Sequence, residues 1–212
     1  MQRVLRSEGG FTLIELVVVL AVIALLAATL TPLVTRYIQD ARIQRAQNEV
    51  QVIGAAIQKF EQDLGRFPFF SNGAGTLREA DQDVVVLQGP GDMPTEDTAS
   101  NWTSSTVTGC KATTCVRGEL AEQLIKNTPA YPTTRSEGKP FVWKGPFLDK
   151  LQTDPWGNKY LINIQNVRSD KSFAAIILSA GANGKVETAF EPTGGLTINL
   201  TPGGDDIVYR IR

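Results

Sequence analysis

Histidine is absent from all 212 residues. The commonest general base and the commonest metal ligand are therefore missing, and any metal would have to be held by carboxylate, amide and carbonyl oxygens, which suit calcium better than zinc. Cysteine is scarce: Cys110 and Cys115 are the two in the chain. Their C-x4-C spacing is neither the C-x-x-C of a redox helix nor that of a zinc knuckle. No charge sign prevails, since the formal net charge is −1, so nothing global points to nucleic acid as a partner. The sequence also shows no Ser or Cys nucleophile placed with a base and no Gly-rich phosphate loop, so an enzyme is not expected.

What is present is a globular composition, with 42% hydrophobic and 20% charged residues, and enough length for one ordinary domain plus an extended segment. The chain starts with a short polar stretch, MQRVLRSEGG, carrying Arg3 and Arg6. An apolar run follows over residues 11–34, interrupted only by Glu15 and three threonines. That run is long enough to span a bilayer as a helix. Arg3 and Arg6 should keep the amino terminus cytoplasmic, so that the rest is exported. A secretory signal peptide fits poorly, because the run is too long and no small-x-small cleavage site closes it.

Glu15 is out of place in such a run. An ionised side chain there costs about 3 kcal/mol on insertion scales and is usually paired or functional. A cut between Gly10 and Phe11 would supply one partner, the new α-amino group of Phe11. Export also bears on the cysteines. In an oxidising compartment Cys110 and Cys115 could close a small loop worth about 2 kcal/mol, the alternative being two unrelated thiols.

After Pro32 the pattern changes. Ile43, Ala46, Val50, Ile53, Ile57, Phe60 and Leu64 are spaced 3, 4, 3, 4, 3 and 4 apart, which is one helical stripe. One long helix is predicted over residues 11–64, with a kink or break near Pro32 and an amphipathic continuation over residues 35–64. Gly65 and Pro68 end it.

Gly10-Phe11-Thr12-Leu13-Ile14-Glu15 resembles the prepilin peptidase motif of type IV pilins and type II secretion pseudopilins. The resemblance implies that residues 1–10 are a leader, that a membrane peptidase cuts after Gly10 and methylates Phe11, and that Glu15 serves assembly. It also implies a pilin-like α+β fold, a long helix on a small antiparallel sheet.

Residues 65–140 are rich in Gly, Pro, Ser, Thr and Asn and read as a variable, loop-rich insertion on an exposed surface, with a strand over residues 83–88 and a short helix over 118–128. Strands are predicted over residues 160–166, 173–179, 185–190, 196–200 and 207–211, giving an antiparallel sheet over 141–212. Asp154-Pro-Trp-Gly-Asn-Lys-Tyr160 reads as a tight turn. That segment, ILSAGANG over residues 177–184 and Asp205-Asp206-Ile207 are together similar to the C-terminal half of the major pseudopilins of type II secretion.

This second resemblance implies a calcium loop formed by carbonyls near Leu178 and Gly181 and the carboxylates Asp205 and Asp206. Asn183 stands where the family often has aspartate, removing one negative charge. The function implied is a structural subunit of an inner-membrane-rooted helical filament with its C-terminal domain in the periplasm. Its partners would be further copies of itself, minor pseudopilins, the prepilin peptidase and an inner-membrane assembly platform with its ATPase. A type IV pilin forming a surface fibre for adhesion, motility or DNA uptake is the alternative.

Overall fold

The computed structural model describes residues 10–68, 70, 83–97, 102, 116–135, 141–168, 173–191 and 201–212. Cys110, Cys115, the leader up to residue 9 and the strand expected over 196–200 lie outside the described residues. The chain divides into two units, Met1–Ala41 and Arg42–Arg212.

A single helix, α1 (Leu13–Leu64), belongs to both units and passes Pro32 without the break that this residue suggested. Proline there removes the N–H that would reach the Ala28 carbonyl, but long helical stretches on both sides carry the helix on. In the first unit every described residue is exposed, and the helix is long and apolar enough to cross a membrane. The threonines of this stretch are accommodated by back-bonding. Thr29 Oγ1 donates to the Leu26 carbonyl at 2.9 Å and Thr31 Oγ1 to that of Ala27 at 2.7 Å. A hydroxyl satisfied by its own helix needs no water, which is the condition for a polar side chain in lipid.

The second unit is α+β. Six of the seven stripe residues, Ala46, Val50, Ile53, Ile57, Phe60 and Leu64, are buried, while Ile43 at the edge of the unit is 37% exposed. The stripe packs on a five-stranded sheet of order β3-β1-β4-β5-β7. Its strands are β1 (Val84–Gln88), β3 (Val116–Glu119), β4 (Leu161–Ile162), β5 (Ile176–Ser179) and β7 (Ile207–Arg210), and a separate two-stranded sheet pairs β2 (Thr95–Glu96) with β6 (Lys185–Val186). β5 lies between β4 and β7 with all four residues buried, as its unbroken apolar run implied. Ile177 faces the helix, whereas Ile176 and Leu178 join a second apolar cluster with Trp102 and Phe190 on the other face.

The five-stranded sheet is mixed rather than wholly antiparallel, because β1 pairs with β3 in parallel, and the separate β2–β6 pair is parallel as well. The stretch that composition reads as loop-rich supplies β1 and β3, and it buries Leu120, Leu124 and Tyr131 in the main core. The helix expected over 118–128 is a strand followed by a single π-helical turn (Glu122–Lys126). Asn127, in the left-handed region at φ 52°, ends that turn by clasping Tyr131: its Nδ2 donates to the Tyr131 carbonyl at 3.0 Å and its Oδ1 accepts the Tyr131 amide at 2.8 Å. Residues 160–166 give only the two-residue β4 before a 3-10 turn (Ile164–Val167). Lys185-Val186 does not return along β5 but leaves to pair with β2.

Among the polar contacts that tie α1 to the rest of the second unit, two involve buried side chains. Tyr160 donates its hydroxyl to Glu49 Oε2 at 2.5 Å, and burial followed by this bond pushes the phenol well above its ordinary value. Lys144 reaches the buried Asp63 at 2.9 Å, which holds that carboxyl below its usual range against the opposing effect of burial. Gly54 lets the Tyr209 ring rest on the helix, for a Cβ there would lie 2.3 Å from Tyr209 Cε1.

Candidate functional site

The two candidate regions lie one in each unit. At the amino-terminal one, Gly10 is exposed and a Cβ placed on it would meet no atom within 4 Å. None of the described residues around it therefore requires glycine there. Phe11 is 92% exposed. Thr12 and Glu15 close a reciprocal cap on α1. The Thr12 amide donates to Glu15 Oε2 at 2.8 Å, the Thr12 hydroxyl donates to the same oxygen at 2.7 Å, and the Glu15 amide donates to Thr12 Oγ1 at 3.3 Å. Two of the orphan N–H groups at the helix start are satisfied in this way. The carboxylate also sits where the helix dipole favours negative charge. Thr12 is a partner for Glu15 that needs no cleavage. The Thr-x-x-Glu signature was legible in the sequence.

The second region is the loop after β5. Asp205 Oδ2 accepts the amides of Ala182 at 2.8 Å and Asn183 at 3.0 Å. Asp206 Oδ2 accepts those of Glu187 at 3.0 Å and Thr188 at 2.6 Å. Gly181, at φ +63°, lies so close to Asp205 that a Cβ would come within 2.3 Å of the Asp205 carbonyl oxygen. Gly181, Asn183, Asp205 and Asp206 are thus brought together. Leu178 is not part of this cluster, since it sits inside β5 between Leu161 of β4 and Val208 of β7.

Glu187 belongs to the cluster and was not anticipated. Its Oε2 accepts from Asn183 Nδ2 at 3.1 Å, and its carboxylate lies where a side chain on Gly204 would go. Asn183 Oδ1 accepts the Lys185 amide at 2.7 Å, so Asn183 is also the turn former that its Asn-Gly pairing suggests. The unusual atom is Asp206 Oδ1, which is buried and has no hydrogen-bond partner. Burial pushes the Asp206 carboxyl up, against the lowering effect of its bonds to Thr188 and Glu187. A buried carboxylate oxygen without a partner is costly, and a bound cation is one way to relieve it. Among the described residues no three acidic side chains converge as a ready metal cluster.

Residues 5–31 match the family described as "Prokaryotic N-terminal methylation motif". This segment covers Gly10, Phe11, Thr12 and Glu15. Over 186 residues the chain is 26% identical to "Type II secretion system core protein G" of Pseudomonas aeruginosa strain PAO1, covering 87% of this chain and 89% of that one. A similarity of that length takes in most of the globular unit. No solved structure matches it.

Proposed function

We propose that this chain is a pseudopilin, a structural subunit rather than an enzyme. It builds an inner-membrane-rooted helical filament that drives or scaffolds protein export by a type II secretion system. The observation that carries the reading is the reach of the similarity to core protein G, which runs over 87% of the chain and so is not confined to a motif that pilins and pseudopilins share. The long apolar helix of the first unit, exposed along all its described residues, supports a membrane-anchored store of subunits. Its partners are then other copies of the chain, minor pseudopilins, a prepilin peptidase acting between Gly10 and Phe11, and an inner-membrane platform with its ATPase. The globular unit lies in the periplasm.

An in-frame deletion tests this. Proteins normally released to the medium should remain in the periplasm, and a plasmid copy should restore their release. An unchanged set of released proteins, with loss of adhesion, motility or DNA uptake instead, would assign the chain to a surface fibre.

The loop after β5 is proposed to hold calcium. Asp206 Oδ1 is the buried oxygen without a partner, and Asp205, Glu187 and Asn183 are hard oxygen donors in the same loop region that calcium would have to draw together. Bound calcium would supply positive charge to this anionic loop and stabilise only the folded state. At a hundredfold excess over Kd that amounts to about 2.7 kcal/mol, or roughly 5–10 °C in Tm for a domain of this size. Melts of residues 36–212 should rise with calcium chloride, fall with chelator and lose the shift in Asp206→Ala. A parent domain indifferent to millimolar calcium would rule the site out.

A further inference from the structure

Asp154 opens the DPWGNKY turn and is buried. Its Oδ1 accepts the amides of Trp156 at 3.0 Å and Asn158 at 2.7 Å, which is what holds the turn. Its Oδ2 does something else. It accepts the hydroxyl of Ser179 at 2.8 Å, across 25 residues of sequence. Ser179 is fully buried at the end of β5, and its Oγ in turn accepts the Gly181 amide at 3.4 Å. Gly181 is the residue pressed against Asp205, and the next two amides donate to the Asp205 carboxylate.

The far end of the loop is held from the same side. Gly184 accepts the Thr95 amide at 3.0 Å, and Asn158, whose amide Asp154 fixes, stands with its Nδ2 3.5 Å from where a Gly184 side chain would begin. The turn is closed by the two bonds to Oδ1 and by the backbone bonds Gly157 N–H to Asp154 O and Asp154 N–H to Asn158 O, whereas the bond to Ser179 reaches outside it. A buried ionised group linked by a hydrogen bond to a neutral donor is among the stronger of such contacts.

We infer that Asp154 and Ser179 are positioning residues that set the conformation of the 180–184 loop, and through it the presentation of Asp205 to a cation. The calcium half of this inference rests on the calcium reading above, whereas the loop half stands on geometry alone. Asp154 touches no cation itself; it acts through Ser179 and the Gly181 amide. The turn is thereby a rigid base for the loop, in the way that outer groups orient the ligands of metal sites.

The experiment is hydrogen exchange followed by mass spectrometry on the full chain in detergent micelles, with chelator and then with a calcium chloride titration. Ser179→Ala removes the hydroxyl and keeps the buried volume. In chelator it should speed exchange of the 180–184 amides about tenfold while leaving β7 unchanged, since it breaks one charge-assisted link and no sheet pairing. Its calcium half-point should rise by a similar factor. Asp154→Asn keeps an oxygen for the turn amides but puts an uncharged NH2 donor where Ser179 needs an acceptor, so it should loosen 180–184 in the same direction as Ser179→Ala while leaving β7 unchanged. Exchange of 180–184 in Ser179→Ala matching the parent, or acceleration spread equally over β7, would overturn the inference. If calcium leaves the parent unaltered while Ser179→Ala still loosens 180–184 alone, the positioning role stands and the calcium reading falls.

Discussion

Glu15→Ala should leave a chain that enters the membrane and is cut, but does not assemble. Removing the carboxylate makes the apolar segment easier to insert by about 3 kcal/mol. The lost cap at Thr12 costs about 1 kcal/mol, which does not reverse that gain. The cut after Gly10 lies upstream of the changed side chain. In a filament the apolar helices pack away from water, where a charge needs a counter-charge. On the proposed reading, the amine of Phe11 on a neighbouring copy is the cation that processing would create. Pairing Glu15 with it would relieve both charges and fix axial register, the best-attested use of a buried ion pair.

The bonds from Thr12 refine this expectation, because a lone subunit already satisfies Glu15 in part. Two roles must therefore be separated, the helix cap and the charge. Glu15→Gln separates them, since glutamine can close the same cap and carries no charge. If the charge sets the register, both variants yield no filaments, with a normal cleaved membrane pool by blot. Filaments from Glu15→Gln but not from Glu15→Ala would mean that the cap is what assembly requires. Normal filaments from both would make Glu15 a passive interfacial residue.

Gly10→Val should block processing altogether. Among the described residues nothing lies within 4 Å of a Cβ at Gly10, so valine meets no clash with them and should not disturb α1. On the proposed reading, the demand for glycine comes from outside, from a peptidase whose site would have no room for a side chain. The uncut chain should accumulate in the membrane, keep its leader and be missing from filaments. Cleavage of the valine chain at the parent's rate would show that the cut is elsewhere or that no such enzyme acts on it.

The parts of this structure that were readable from sequence are those written in local periodicity. The stripe from Ala46 to Leu64 specifies both the helix and its buried face, and the run through Ile176, Ile177 and Leu178 specifies a strand covered on both sides. The turn at Pro155 and Gly157 was readable because those residue types restrict or free the backbone, and Gly157 does adopt φ +96°. Pairing was not readable. That β1 lies parallel to β3, and that β6 leaves the hairpin for β2, depends on contacts between distant segments that no local pattern encodes. Of the candidate residues, Gly181, Asn183, Asp205 and Asp206 converge, while Glu187 was hidden in a stretch whose alternation suggested only a strand. The Thr12-x-x-Glu15 spacing carries the signature of a capping box, and the same glutamate carries the charge that sets it apart in an apolar run.

The most direct test of the central claim is the mass of the amino-terminal peptide from filaments sheared off cells that make the parent chain. A processed filament subunit predicts that assembled material begins at Phe11 with a methylated amine, and that the leader is confined to the membrane fraction. Assembled filaments whose subunits still begin at Met1, or a chain found only as unassembled membrane protein in cells that are secreting, would contradict it.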